Sequence, residues 1–281
     1  MKLSTKQILI ILGVIGLMVF LLTQPLKGLI DEEDAEAQAN EADAVSTFSY
    51  ASVSEIYKSS LNPSIAQEIS GKESEIQSAG SDSEKLELLK ALAEQWEDVA
   101  KKAPQGFLFQ EIAEIEDSTP NWLLAADAYR EGSQNLQDTT LAQELTQRAI
   151  HSYEKVLAVE PGNLSAKTGL GASIVGSGAN PMAGIALLQE VVEEDPKNLE
   201  ANKALGVFSL QSRQFDKAVD RFLVVVEQEE DVEAYFYLAT GYENLGMKQE
   251  AIAAFETSKR LASDPTLSQF IDRKIEELSG F

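Results

Sequence analysis

The chain has 281 residues, of which 44% are apolar, and its 46 acidic and 23 basic residues give a net charge of −23 at pH 7. Such an acidic surface repels phosphate backbones, which argues against a nucleic-acid partner. The chain has no cysteine, and this excludes disulfides, thiolate metal ligands and catalytic thiols.

The first predicted element is a membrane-spanning helix. Residues 8–22 are an uninterrupted apolar run, and apolar residues continue around Lys27 as far as Ile30. A helix over 8–30 is long enough to cross the hydrocarbon layer, which takes about 20 residues. No small-residue cleavage site directly follows the run, which favours an uncleaved anchor over a cleaved signal peptide. A buried core helix is the third interpretation.

Basic residues predict the orientation of this anchor. Lys2 and Lys6 precede the span, and only Lys27 follows it, next to a group of acids. The positive-inside rule then predicts a cytoplasmic tip and anchor over 1–30, in the inner membrane, with the C-terminal domain in the periplasm.

An acidic tether is predicted over 31–47. Its first part, from Asp31 to Ala44, holds seven acids and no base, so it repels itself and acts as a spacer.

Accessory helices or a degenerate repeat are predicted over 48–118. Helices are expected over 52–61 and 63–79, where Asn62 and Pro63 form a start signal, and over 82–102, where apolar residues recur with helical spacing. Pro104 is expected to end the third helix. No β pattern occurs in the chain, so the predicted fold class is all-α.

The rest of the chain repeats itself. Ala149, Ala183, Ala218 and Ala251 are 34, 35 and 33 residues apart. A large apolar residue stands four positions after each of them: Tyr153, Leu187, Phe222 and Phe255. This spacing resembles the tetratricopeptide repeat, a unit of two antiparallel helices that stacks into an α-solenoid.

The resemblance implies about four helix pairs over 119–265 and a capping helix over 266–281. Small residues are expected where two paired helices touch: Gly171, Ala183, Gly206, Ala218, Ala239 and Ala251. In three pairs the two contact positions lie 12 residues apart. The first pair departs from this, since Ala126 and Ala149 are 23 residues apart and eleven additional residues must be accommodated.

In the family, the first helix of each repeat lines a groove that holds peptide segments. The resemblance maps this partner-binding groove onto nine residues: Thr168, Ala172, Val175, Lys203, Val207, Leu210, Phe236, Thr240 and Glu243. Packing between helices is an equally good explanation of the apolar members of this set.

No catalytic, cofactor-binding or metal-binding residue is predicted. His151 is the only histidine, and a lone histidine is typical of a surface or structural position. The many neighbouring acids are typical of a solvated face, and neither Gly169-Leu170-Gly171 nor Gly176-Ser177-Gly178 follows a strand as a nucleotide-binding loop does.

The predicted function is therefore protein binding at a membrane, as an adaptor, assembly factor or holding chaperone. The layout is similar to that of the ancillary tetratricopeptide subunit of the bacterial Sec translocon, which also has one N-terminal span. Two alternatives remain open: a self-assembling structural envelope protein, and an enzyme or small-ligand binder.

Overall fold

The computed structural model describes residues 48–134 and 136–280. These residues form thirteen helices and no strand. The first four are α1 (Tyr50–Lys58), α2 (Pro63–Ser78), α3 (Asp82–Asp98) and α4 (Lys102–Glu116). Then follow α5 (Thr119–Ser133), α6 (Thr139–Val159), α7 (Leu164–Ser177), α8 (Pro181–Glu194), α9 (Leu199–Gln211), α10 (Phe215–Val226), α11 (Val232–Asn244), α12 (Lys248–Leu261) and α13 (Pro265–Ser279).

Side-chain caps define where most helices begin. The residue before the helix accepts a hydrogen bond from a backbone N–H of the first turn, which satisfies a donor that has no partner inside the helix. The side chains that do so belong to Ser49, Asn62, Ser81, Asp138, Asn163, Asn180, Asn198, Asp231 and Asp264.

Three helix pairs follow one another from α7 to α12. Helices α7 and α8, α9 and α10, and α11 and α12 pack as hairpins, each joined by a turn of three residues. The first helices α5, α7, α9 and α11 also contact one another in sequence, and α13 packs on α12. The result is an α-solenoid with a terminal helix, as the repeat pattern predicts.

Five of the six predicted packing residues are buried, and Ala183 is the exception, being exposed. The residue that meets the partner helix is Gly184, where an added Cβ would lie 2.5 Å from the carbonyl oxygen of Gly171. Gly184 is the fourth residue of α8, just as Ala218 is the fourth of α10 and Ala251 the fourth of α12. The sequence pattern therefore predicts the wrong contact residue in this repeat. It selects Ala183, whereas the residue that contacts α7 is the next one, Gly184.

The additional residues of the first pair lengthen its second helix. Helix α6 has 21 residues, whereas α8, α10 and α12 have 14, 12 and 14. At 3.6 residues per turn, α6 exceeds the others by about two turns. These turns stand before Ala149, which is the eleventh residue of its helix and fully buried.

Boundaries in the accessory region differ from prediction. Helix α1 covers Tyr50–Lys58, where a helix over 52–61 is expected. Helix α3 ends at Asp98, because Ala100 adopts a left-handed φ of 53° that a helix cannot continue through. Pro104 lies in the first turn of α4, where its missing N–H removes no hydrogen bond. Helix α4 is then buried on most sides, and Phe107, Leu108 and Ile112 lie in the core.

A polar cluster joins α1 to α2. The ammonium group of Lys58 lies 2.7 Å from the carboxylate of Glu73, which also accepts hydrogen bonds from Ser54 and Tyr50. Burial alone would raise the pKa of the Glu73 carboxyl, but these hydrogen bonds outweigh burial and lower the pKa. The pair is therefore ionised at neutral pH and fixes the packing of the first two helices.

Among residues 48–134 and 136–280, no helix is long and apolar enough to cross a membrane. The predicted anchor over 8–30 and the tether over 31–47 lie outside these described residues.

Candidate functional site

The nine predicted groove residues lie on three helices that contact each other in series, α7, α9 and α11. Thr168 is buried, and its hydroxyl donates a hydrogen bond to the backbone carbonyl of Leu164. The other eight side chains are half-buried. The helices therefore leave a row of partly exposed side chains along one side of the solenoid, which we call the groove face.

Some of the groove face is occupied by neighbouring elements of the same chain. Lys203 forms ion pairs with Glu229 at 2.6 Å and with Asp231 at 2.5 Å. Its charge is thus neutralised by acids in the turn before α11, and Lys203 is not free to pair with the carboxylate of a ligand.

The last helix, α13, contacts the groove face at its end. The Phe236 ring lies 5.6 Å from Phe255 and 5.9 Å from Phe270, measured between centroids. Glu243 accepts a hydrogen bond of 2.9 Å from Lys274. Phe236 and Glu243 therefore join α11 to the helices that follow it.

A polar network links α5 and α6 to α9. The hydroxyl of Tyr153 donates to Asp127 at 2.6 Å and accepts from the Arg130 guanidinium at 3.0 Å. Arg130 also pairs with Glu200 of α9 at 2.9 Å. Burial raises the pKa of the Tyr153 phenol, so this hydroxyl stays protonated and remains a donor.

This network depends on a glycine in α7. A Cβ at position 169 would overlap the ring and hydroxyl of Tyr153, so only Gly169 lets the tyrosine lie across α7. Arg130 can then reach past α7 from α5 to Glu200 on α9.

Next to Arg130 lies a hollow of about 740 Å³ between the end of α5, the start of α6 and the end of α7. Its wall consists largely of small and uncharged polar side chains. They include Gln143, Thr146, Gln147, Ala172, Ser173 and Ser177. The two additional turns of α6, residues 139–145, supply Gln143 together with Thr139 and Ala142, and the groove-face residue Ala172 lies on the opposite wall. We call this space the α6 hollow.

The sequence indicated neither the α6 hollow nor the network beside it as a site. The 23-residue separation of Ala126 and Ala149 was the available signal, because additional residues in one repeat tend to collect on one face, often the binding face.

His151, the only histidine, is exposed on α6, and its ring lies 6.4 Å from that of Trp122. Within the part of the chain that the structure describes, no three acidic or histidine side chains come together as a metal site.

These helix pairs define a repeat protein of the α-solenoid class. Residues 178–242 and 233–260 match two family models of the tetratricopeptide repeat, so the stretch 178–260 is similar to tetratricopeptide repeats. No curated protein matches the chain.

The solved structures to which the chain is similar are distant in sequence. MamA AMB-1 is 20% identical and aligns over 62% of this chain and 96% of its own, with a TM-score of 0.43. MamA 41-end from Desulfovibrio magneticus RS-1 is 19% identical over 65% and 97%, with a TM-score of 0.49. YrrB, described as a TPR protein with an unusual peptide-binding site, is 17% identical over 66% and 91%, with a TM-score of 0.45.

Proposed function

We propose that this protein is a membrane-anchored protein-interaction module that holds segments of other proteins against its groove face. The supporting observation is the serial contact of α5, α7, α9 and α11, which leaves eight of the nine groove residues half-exposed in one row. Tetratricopeptide repeats are protein-interaction scaffolds, and a row of this kind suits an adaptor, assembly factor or holding chaperone.

A photo-crosslinking amino acid at Val207 or Thr240 is expected to yield covalent adducts with other proteins in intact cells. Both residues lie half-buried on the groove face. The matched control, Glu256, is exposed on α12, which is the second helix of its pair and lies outside the groove face. Adduct formation at Glu256 equal to that at the two groove positions, or no adduct at any of them, would contradict the proposal. Immunoblotting of the adducts also tests association with a protein-translocation complex, which is rejected if no translocon subunit is recovered above the control.

The proposal includes an anchor over 8–30 with the repeats on the periplasmic side. Its support is the apolar run of residues 8–22, the two lysines before it, and the acidic tether that follows.

Protease is expected to reach the C-terminal domain as soon as the outer layer of the cell is permeabilised. The basis for this expectation is the predicted orientation, which places the domain outside the cytoplasmic membrane. The measurement is loss of a C-terminal epitope, with a cytoplasmic protein as the control. An epitope that survives until the cytoplasmic membrane is broken would place the repeats in the cytoplasm, where partners would be soluble complexes.

A further inference from the structure

We propose that the ion pair between Arg130 and Glu200 is a salt-sensitive latch that limits how far α5 and α9 can move apart across α7. The inference concerns the spacing of the helices beside the groove face and goes beyond the binding of a partner. It rests on which helices the pair joins, on the composition of the helix between them, and on the exposure of the two side chains.

The latch joins two repeats that are not neighbours. In a solenoid each repeat contacts the next one, and here the first helices α5, α7 and α9 contact each other in that order. The guanidinium of Arg130 on α5 nevertheless lies 2.9 Å from the carboxylate of Glu200 on α9. A bond between neighbours restrains one interface, whereas this bond restrains the angles of two successive interfaces together.

The helix between them is poorly suited to resist bending. Helix α7 contains Gly169, Gly171 and Gly176 among its 14 residues, and glycine within a helix lowers its stability relative to alanine. The one charged residue in the sequence of α7 is Lys167, which pairs with Glu190 on α8 at 2.9 Å. Its charge is thus directed to its own hairpin partner, and the latch supplies an ionic link between α5 and α9.

Both ends of the latch are held in position by their own surroundings. The Nε of Arg130 donates to the hydroxyl of Tyr153, which is fully buried and itself donates to Asp127. The Arg130 side chain therefore has little rotational freedom left to lose when it meets Glu200. Glu200 lies in the first turn of α9, where the helix dipole favours a carboxylate.

The latch is sensitive to salt because it is partly open to solvent. The side chain of Glu200 is 46% exposed and that of Arg130 is 20% exposed. Ion pairs at such positions add little to the free energy of unfolding, and dissolved ions weaken them. Bending between repeats is a change between folded states of similar free energy, so a weak ion pair is enough to shift their populations.

The latch affects the groove face through α9. Glu200 stands one turn before the groove residue Lys203, so the two side chains lie on the same face of α9. Lys203 in turn pairs with Glu229 and Asp231, which lie in the turn before α11. Ionic links thus run from α5 to α9 and from α9 to α11, and opening the latch changes the spacing of the helices beside the groove face.

Distances between spin labels on the first helices test the latch. The chain has no cysteine, so the full-length protein in detergent carries labels only at introduced positions. Leu124→Cys on α5 with Gln211→Cys on α9 gives a distance that spans α7. Gln211→Cys with Asn244→Cys on α11 gives one that does not, and all three residues are exposed. Pulsed electron paramagnetic resonance measures both distances.

We expect Glu200→Gln to lengthen and broaden the α5–α9 distance at low salt, because the ratio of closed to open molecules falls roughly two- to fivefold. The α9–α11 distance should stay as in wild type. Salt at about 1 M should lengthen the α5–α9 distance of the wild type towards that of the variant and change the variant less.

Glu111→Gln is the matched control for removing one acid. Glu111 pairs with Lys85 across the adjacent helices α3 and α4, and its side chain is 38% exposed. This variant should keep the wild-type α5–α9 distance and its response to salt.

The proposal is overturned if Glu200→Gln leaves the α5–α9 distance unchanged, if it moves both distances alike, or if Glu111→Gln has the same effect. It is also overturned if salt changes the variant as much as the wild type. Crosslinking at Val207 and Thr240 does not require the latch. Groove adducts together with an unchanged α5–α9 distance would therefore uphold the proposed function and reject the latch.

Discussion

Gly169→Ala is expected to destabilise the repeats by about 3–5 kcal/mol, a large share of the roughly 5–15 kcal/mol that holds a domain folded. The new Cβ would overlap the ring and hydroxyl of Tyr153, which is fully buried and cannot move aside freely. Displacing the ring also breaks the hydrogen bonds of its hydroxyl with Asp127 and Arg130. Urea unfolding of the full-length protein, followed by helical circular dichroism, measures this loss.

A double-mutant cycle separates the steric overlap between a Cβ at position 169 and Tyr153 from other effects of the Gly169→Ala substitution. Tyr153→Leu removes the atoms that the new Cβ would strike, so Gly169→Ala added to Tyr153→Leu should cost little more than Tyr153→Leu alone. The coupling between the two positions then approaches the whole cost of Gly169→Ala alone, about 3–5 kcal/mol. Additive losses would show that Tyr153 does not constrain position 169.

Gly71→Ala is the matched control for introducing a methyl group. Gly71 lies within α2, with no atom close to the position of a new Cβ. The same substitution should therefore stabilise the protein by about 0.5–1 kcal/mol through helix propensity alone.

Much of the fold could be predicted because it depends on periodic contacts. The recurrence of small residues at Ala149, Ala218 and Ala251, each followed by a large apolar residue, reflects a packing rule that acts in every repeat. Where one rule acts several times, a sequence pattern reveals it. The end of α3 depends instead on a single left-handed φ at Ala100, which no residue type at that position demands.

The repeat pattern is enough to assign the groove face to α7, α9 and α11. It does not indicate which of these side chains are accessible to a partner. Whether Lys203 is free depends on where the turn before α11 puts Glu229 and Asp231. Whether Phe236 is exposed depends on where α13 puts Phe270. Such contacts join residues that are distant in the sequence and follow no repeating pattern, so the structure is needed to find them.

Gly184→Ala is expected to destabilise the protein by about 1–3 kcal/mol, although alanine is the better helix former. The added Cβ would lie 2.5 Å from the backbone oxygen of Gly171 and 2.9 Å from Cγ2 of Val175. Because backbone atoms of the partner helix stand in the way, α7 and α8 must separate along their length. The measurement is again urea unfolding, with Gly71→Ala as the control of opposite sign.

A substitution at the neighbouring residue, Ala183, tests which residue of α8 contacts α7. If Gly184 is the contact, exposed Ala183 should accept Ala183→Gln with a change of less than about 0.5 kcal/mol. If Ala183 were the contact, as the 34-residue spacing suggests, Ala183→Gln would be the damaging change and Gly184→Ala would stabilise the protein. The two registers thus predict opposite signs at position 184. The register in the structure, with Gly184 against α7, follows from where α8 begins. Asn180 caps the helix and Pro181 is its first residue, so the fourth residue, Gly184, is the one that contacts α7.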